Sequence, residues 1–194
     1  MAILTETALI VSHTEKSVAF FTEVLISFSV ARIVTAPTSS KARRLLLEQN
    51  FDLVVINAPL PDESGESLAR HIAEKGIGQV ILVVKSEHFD EVSQAVENFG
   101  VITVAKPINI SLFWSALKLA KATHNKLRAM QVENNKLVHK IEDIRIVDRA
   151  KCILISYLNM SEAEAHKYIE RKAMDTRTTK RAVAEGILKT YENI

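Results

Sequence analysis

Little punctuates this chain: five glycines, four prolines and a single cysteine, Cys152, in 194 residues. One thiol can build neither a disulfide framework nor a cysteine-based metal site, which excludes a stapled secreted scaffold and a cysteine-ligated zinc module. No apolar run approaches the roughly 18–20 residues of a membrane span, and no basic segment leads into a signal-type apolar core. These absences predict a cytoplasmic protein with no membrane contact. Nothing couples a nucleophile to a base or gathers ligands for a cation, so neither enzymatic activity nor a cofactor is expected. What is present is apolar content of 47%, which with so few helix breakers argues for a packed, helix-rich protein. The length suits one ordinary domain and a smaller module.

A net charge of +2 hides an asymmetry. Residues 1–120 carry 10 basic against 13 acidic side chains, and residues 145–194 carry 10 against 7. The basic rear hints at an anionic partner there.

The first 110 residues alternate short apolar runs with amphipathic stretches. ALIVS (8–12), VARIV (30–34), DLVVIN (52–57), QVILVV (79–84) and VITVA (101–105) have strand length and consecutive apolar positions, as in a parallel sheet covered on both faces. Helical stretches are expected near 15–27, 38–50, 64–75 and 89–98, with Ser64 as one helix start. The expected architecture is α/β, a doubly wound five-stranded parallel sheet of the CheY-like or flavodoxin-like kind over residues 1–120. Ligands of such sheets sit at the carboxyl ends of the strands. Asn57, Ser12, His13, Val84 and Lys106 fall there.

From Ile108 the strand signal stops, and nearly fifty residues read as one helix or two abutting ones. Leu127, Asn134 and Ile141 recur at seven-residue spacing, each followed three residues later by Met130, Leu137 and Ile144. This a/d seam over a linker at 121–148 predicts a parallel homodimer, with Asn134 fixing register at some cost in stability. A helix packed on its own domain is the alternative. Ser161 and Glu164 form a capping box, and the break Asp175–Thr179 precedes a last helix ending near Tyr191. A small all-α three-helix bundle over 149–194 follows, with Ala163, Ala165, Ile169, Ala173, Ile153, Leu154, Leu158, Val183, Ile187 and Leu188 turned inward. Cys152 is expected to be buried.

The βα module, with Lys106-Pro107 after its fifth strand, resembles the receiver domain of bacterial two-component response regulators. That resemblance implies an Asp at the end of the third strand that takes a phosphoryl group, an acidic pair holding Mg²⁺, a hydroxyl ending the fourth strand, and a Lys ending the fifth. Only Lys106 remains. Asn57, Ser12 with His13, and Val84 stand at the other places, so the expectation is a pseudo-receiver without phosphoryl chemistry, in which Asn57 hydrogen-bonds within the cleft and Lys106 bonds Asn57 and strand-end carbonyls or else binds some other anion. Phe113 and Trp114 could anchor a regulatory protein partner on this domain or pack in its core.

The segment from Ala150-Lys151 through Glu164-Ala165-His166, Ile169, Arg171, Ala173-Met174 and Arg177 resembles the ANTAR domain, the RNA-binding module named for the AmiR and NasR antitermination regulators. Glu170, Cys152 and Ile155-Ser156 depart from the family's usual texture. The resemblance implies binding to stem-loops in leader mRNA and antitermination. Lys151 and Arg171 would then meet backbone or bases, His166 and Tyr168 would stack or hydrogen-bond, and Arg177 and Lys180 would add charge. One of His166 and Tyr168 could instead lie in the core. A DNA-binding response regulator and a pure interaction protein are the competing classes.

Overall fold

The computed structural model describes residues 6–76 and 78–191, so the outer limits of the expected domains at 1 and 194 lie outside the described residues. Two compact units divide after Arg128.

The first unit runs β1 (Thr7–Val11), α1 (Glu15–Ser27), β2 (Arg32–Ala36), α2 (Ser39–Glu48), β3 (Leu53–Asn57), α3 (Glu66–Glu74), β4 (Gln79–Lys85), α4 (Phe89–Val96) and β5 (Ile102–Lys106). All pairings are parallel, in the order β2-β1-β3-β4-β5. The direction of winding reverses between β1 and β3, which opens a crevice at the carboxyl ends where Val11 and Asn57 finish. Every residue of β3 is buried, as its uninterrupted apolar run requires. One face packs against α2, α3 and α4 through Leu46, Leu68, Ile72 and Val92. The other takes Phe21 and Leu25 of α1, and Phe113 and Leu117 of α5 (Ile110–Leu158). Phe113 is therefore a core residue 5.5 Å from the Phe21 ring, while Trp114 is half-buried on Phe28.

Two expectations shift. The second strand covers Arg32–Ala36, not 30–34. Val30 is apolar because it fills the core beside α1 from a turn, its N–H donating to the Leu25 carbonyl. Helix α3 begins at Glu66, not Ser64, behind Gly65 with φ of 95°. There a Cβ would come within 3.2 Å of the Ile56 side chain. The Glu63 carboxylate, itself paired with Arg43, accepts the Leu68 N–H and does the capping.

Helix α5 is one uninterrupted helix of 49 residues. The second unit contains its rear portion, α6 (Glu162–Asp175) and α7 (Lys180–Tyr191). Ser161 and Glu164 make the expected reciprocal capping box. The core is Ala150, Leu154, Ala165, Ile169, Ala184 and Leu188, joined by Ile146 and Val147 from the turn before residue 149. Ala150, Ala165 and Ala184 have no exposed surface, so small side chains set how closely the helices approach.

Ala163 and Leu158 are exposed rather than inward. Inward positions on α6 recur every four residues at Ala165, Ile169 and Ala173, and Ala163 is half a turn away from them. Leu158 is the last residue of α5, beyond the packed turns. Cys152 is exposed as well, because Ala150 and Leu154 take the buried positions on either side of it.

Candidate nucleic-acid interface and receiver cleft

At the carboxyl edge of the sheet the buried Asn57 amide donates to the Ser12 hydroxyl over 3.0 Å. Ser12 is held in turn by its N–H on the Ala36 carbonyl at 2.9 Å. His13 is exposed, and Val84 is buried in the core cluster of α2, α3 and α4. Lys106 reaches the carbonyl of Ala58 just past the end of β3, one of the strand-end carbonyls expected for it, while the amide's partner is Ser12 rather than Lys106. Partial burial, with Lys85 nearby, holds the Lys106 ammonium below the usual lysine range. Asp62 in the following turn is committed elsewhere. Its carboxylate accepts the backbone N–H groups of Ser39 and Ser40 and the Ser40 hydroxyl, each at 2.9 Å, at the start of α2. Those bonds hold its pKa below the ordinary carboxylate value.

The divalent cation of the receiver family does not fit this donor set. A bonded hydroxyl, an imidazole and an amide offer none of the carboxylate oxygens that hard cations require. Restoring the nucleophile alone should therefore restore nothing. Asn57→Asp, incubated with acetyl phosphate and Mg²⁺, is expected to keep its intact mass, as is the unsubstituted chain. It should also melt lower, because a carboxylate would be buried beside Ser12. A stable phosphoryl increment on either protein would overturn the assignment.

In the second unit the candidate RNA contacts separate into groups. Lys151 has a side chain only 16% exposed, its ammonium 2.7 Å from Asp148 and 3.3 Å from Glu162, which ties α5 to the start of α6. Hydrogen bonding to Asp148 first, then Glu162, raises its pKa. Lys180 bonds to Glu170, and His166 Nε2 lies 3.4 Å from the same carboxylate oxygen. Arg171 stands on the exposed outer face, one helical turn from Lys167 and close to Met174, which is 78% exposed. Among the described residues no ion pair holds Arg171, Lys172 or Arg177. Tyr168 and His166 are both exposed, so neither is the core residue that the sequence left open.

Arg177 occupies the left-handed position of a Schellman turn, with φ of 52°. Its N–H donates to Met174, and that of Thr178 donates to Ala173. Glycine is the ordinary tenant of that position.

Two features went unread in the sequence. A shallow, open groove is lined by Arg145, Arg149 and Cys152, with Asp148, Ile153 and Leu188. The spacing i, i+4, i+7 of the first three was the available signal. Tyr157 and Tyr191 pair at 5.5 Å, across a separation in sequence that no local pattern reveals.

The seam residues of α5 are uncovered within one chain. Leu127, Met130, Leu137, Ile141 and Ile144 are about half exposed, and Asn134 is exposed in line with them. Among the described residues no helix is long and apolar enough to cross a membrane.

Comparison with known proteins agrees with this division. Residues 135–188 match the ANTAR domain. The transcriptional regulatory protein PdtaR of Mycobacterium tuberculosis is 33% identical over 139 residues, covering 72% of this chain and 68% of that protein. The signal receiver domain of an HD domain-containing protein from Pseudomonas fluorescens superposes with a TM-score of 0.59 at 21% identity, covering 66% of this chain and 96% of that one. A response regulator receiver domain protein from Clostridium thermocellum gives 0.55 at 18% identity, covering 63% of this chain and 98% of its own. Both establish the fold of the first unit. The chain belongs to the ANTAR-domain family of transcriptional regulators, with a receiver-type domain ahead of the ANTAR segment.

Proposed function

We propose that the protein is an RNA-binding transcription antiterminator, acting as a dimer without covalent chemistry. The observation that carries this reading is the exposed outer face of α6, where Lys167, Arg171, Tyr168 and Met174 stand on the segment that matches the ANTAR domain. Unpaired bases of a loop can stack on tyrosine or guanidinium planes, and cations meet the phosphates. Two bundles joined through the α5 seam would bind paired stem-loops of a nascent leader. That binding favours their fold over a competing terminator hairpin by the difference in affinity for the two RNA states. The cleft around Asn57 has no phosphoryl chemistry, so regulation falls to a partner protein on the receiver or to dimerisation itself.

A mobility shift comparing a leader stem-loop RNA with duplex DNA tests the reading. Preference for RNA is expected, with Arg171→Ala losing about tenfold and flattening the salt dependence by roughly 0.7–0.9 in log–log slope. Preference for the duplex would favour a DNA-binding regulator. Nucleic-acid binding by neither wild type nor variant would favour a pure interaction protein.

Arg177 gives a sharper separation of binding from folding. Arg177→Gly should leave bundle stability unchanged or raise it by up to about 1 kcal/mol, since glycine relieves the left-handed backbone. The same variant should bind RNA less tightly. A loss of both stability and binding would make Arg177 a folding residue instead.

A further inference from the structure

We infer that Glu170 is an internal competitor of RNA phosphate: its carboxylate fills the seat between Lys180 and His166 that a phosphate oxygen would take, and so sets how tightly the bundle binds. The inference rests on the RNA-binding reading and says how that same surface is tuned. Lys180 Nζ and His166 Nε2 converge on one oxygen, Oε1 of Glu170, from two different helices. Lys180 donates to that oxygen and the imidazole nitrogen stands 3.4 Å from it, so the carboxylate occupies a place that a phosphate oxygen could take.

The surroundings favour an anion as well. Lys180 and Arg181 open α7, whose first turn holds no acidic residue, so two cations stand at the positive end of a helix dipole. Arg181 is committed to Asp143 and Glu185, each at 2.8 Å, which leaves Lys180 as the cation of that turn bonded to Glu170. The three side chains are 41–49% exposed, open enough for a phosphate to displace the carboxylate. The bond from Lys180 also keeps the Glu170 pKa below its ordinary value, so the competitor is ionised at neutral pH.

Exchange of one carboxylate for one phosphate conserves the Lys180 ion pair and the His166 contact, so the two side chains add little net affinity while Glu170 is present. Glu170 also repels a backbone that approaches Arg171 and Lys167 on the same helix. Removing its charge converts both costs into gains.

The test uses the full chain and a generic RNA hairpin, because phosphate contacts carry no base information. Glu170→Gln keeps the side chain's length, and Glu170→Ala serves as a second variant; helical content and melting are compared by circular dichroism. Either variant should bind about three- to tenfold more tightly at low salt, with a log–log salt slope steeper by roughly 0.7–0.9 for the added phosphate contact. Lys180→Ala should be nearly silent in the wild type and costly in the Glu170→Gln background. Equal or weaker binding by folded Glu170→Gln would overturn the inference and make Glu170 an orienting residue for Lys180. No RNA binding by wild type or variant would overturn the RNA reading, and this inference with it.

Discussion

Lysine at both Leu137 and Ile141 should leave the chain monomeric and lower its affinity for RNA with two stem-loops by roughly 10²–10⁴-fold, with affinity for one isolated stem-loop nearly unchanged. The two positions follow one another along the seam, and within a single chain each is about half exposed. Neither belongs to the bundle core around Ala150 and Ile169, so both units should keep their fold. In a dimer the same positions would be desolvated, and four introduced ammonium groups would have to be buried together. The large factor comes from linkage. In the proposed dimer, once one bundle is bound, the second would meet its stem-loop at the effective concentration set by an α5 seam shared by the two chains. Sedimentation equilibrium reads the first effect, and titration with single and tandem stem-loops reads the second. Asn134→Leu provides the opposite change, tighter association with weaker control of register, because a leucine at that seam position is no longer selective for the in-register partner. A wild-type chain that stays monomeric at micromolar concentration, or binds both RNAs equally, would remove the avidity mechanism.

How much of this is legible in the sequence depends on the range of the interaction. The strands β3 and β4 announce themselves, because burial on both faces demands consecutive apolar residues over a strand's length. The Ser161–Glu164 box joins residues three positions apart and is readable because it is equally local. Val30 misleads because turn residues that plug a core are as apolar as strand residues. Cys152 sits among apolar neighbours that suggest burial, although the helical spacing of Ala150 and Leu154 turns it outward.

The partners of the site residues are the least legible. Asn57 and Ser12 are 45 residues apart, and Lys106 and Ala58 are 48 apart. Which strand-end groups meet depends on strand order and register, neither of which local composition encodes. Glu170 stands out in the sequence as a departure from the family's texture, but its grip on Lys180 and His166 follows only once α6 and α7 are docked.

Alanine at Gly78 should be far more damaging than one methyl group suggests, lowering the stability of the receiver unit by about 3 kcal/mol or more and its melting midpoint by roughly 10 °C. A Cβ at Gly78 would collide with the Phe51 carbonyl oxygen and lie 3.2 Å from the Asp52 carbonyl. Both obstacles are backbone, so no side-chain rotation relieves them. The next residue fixes the chain further: the Gln79 N–H donates to the Asp52 carbonyl at 3.0 Å, and Gln79 pairs with Leu53 where β3 and β4 begin. Relief therefore requires the entries of two central strands to separate, with loss of ladder bonds and of packing around Val54 and Val80. Gly186 is the control. It sits within α7 with no positive φ, and a methyl group added there would meet nothing within 4 Å. Gly186→Ala should therefore stabilise the bundle by about 0.5–1 kcal/mol through helix propensity alone. Thermal unfolding followed by calorimetry separates the two, since one substitution acts in each unit. A Gly78→Ala protein that melts with the wild type would mean that β3 and β4 can part at their entry without cost, and that the close approach of Gly78 to Phe51 does not hold their register.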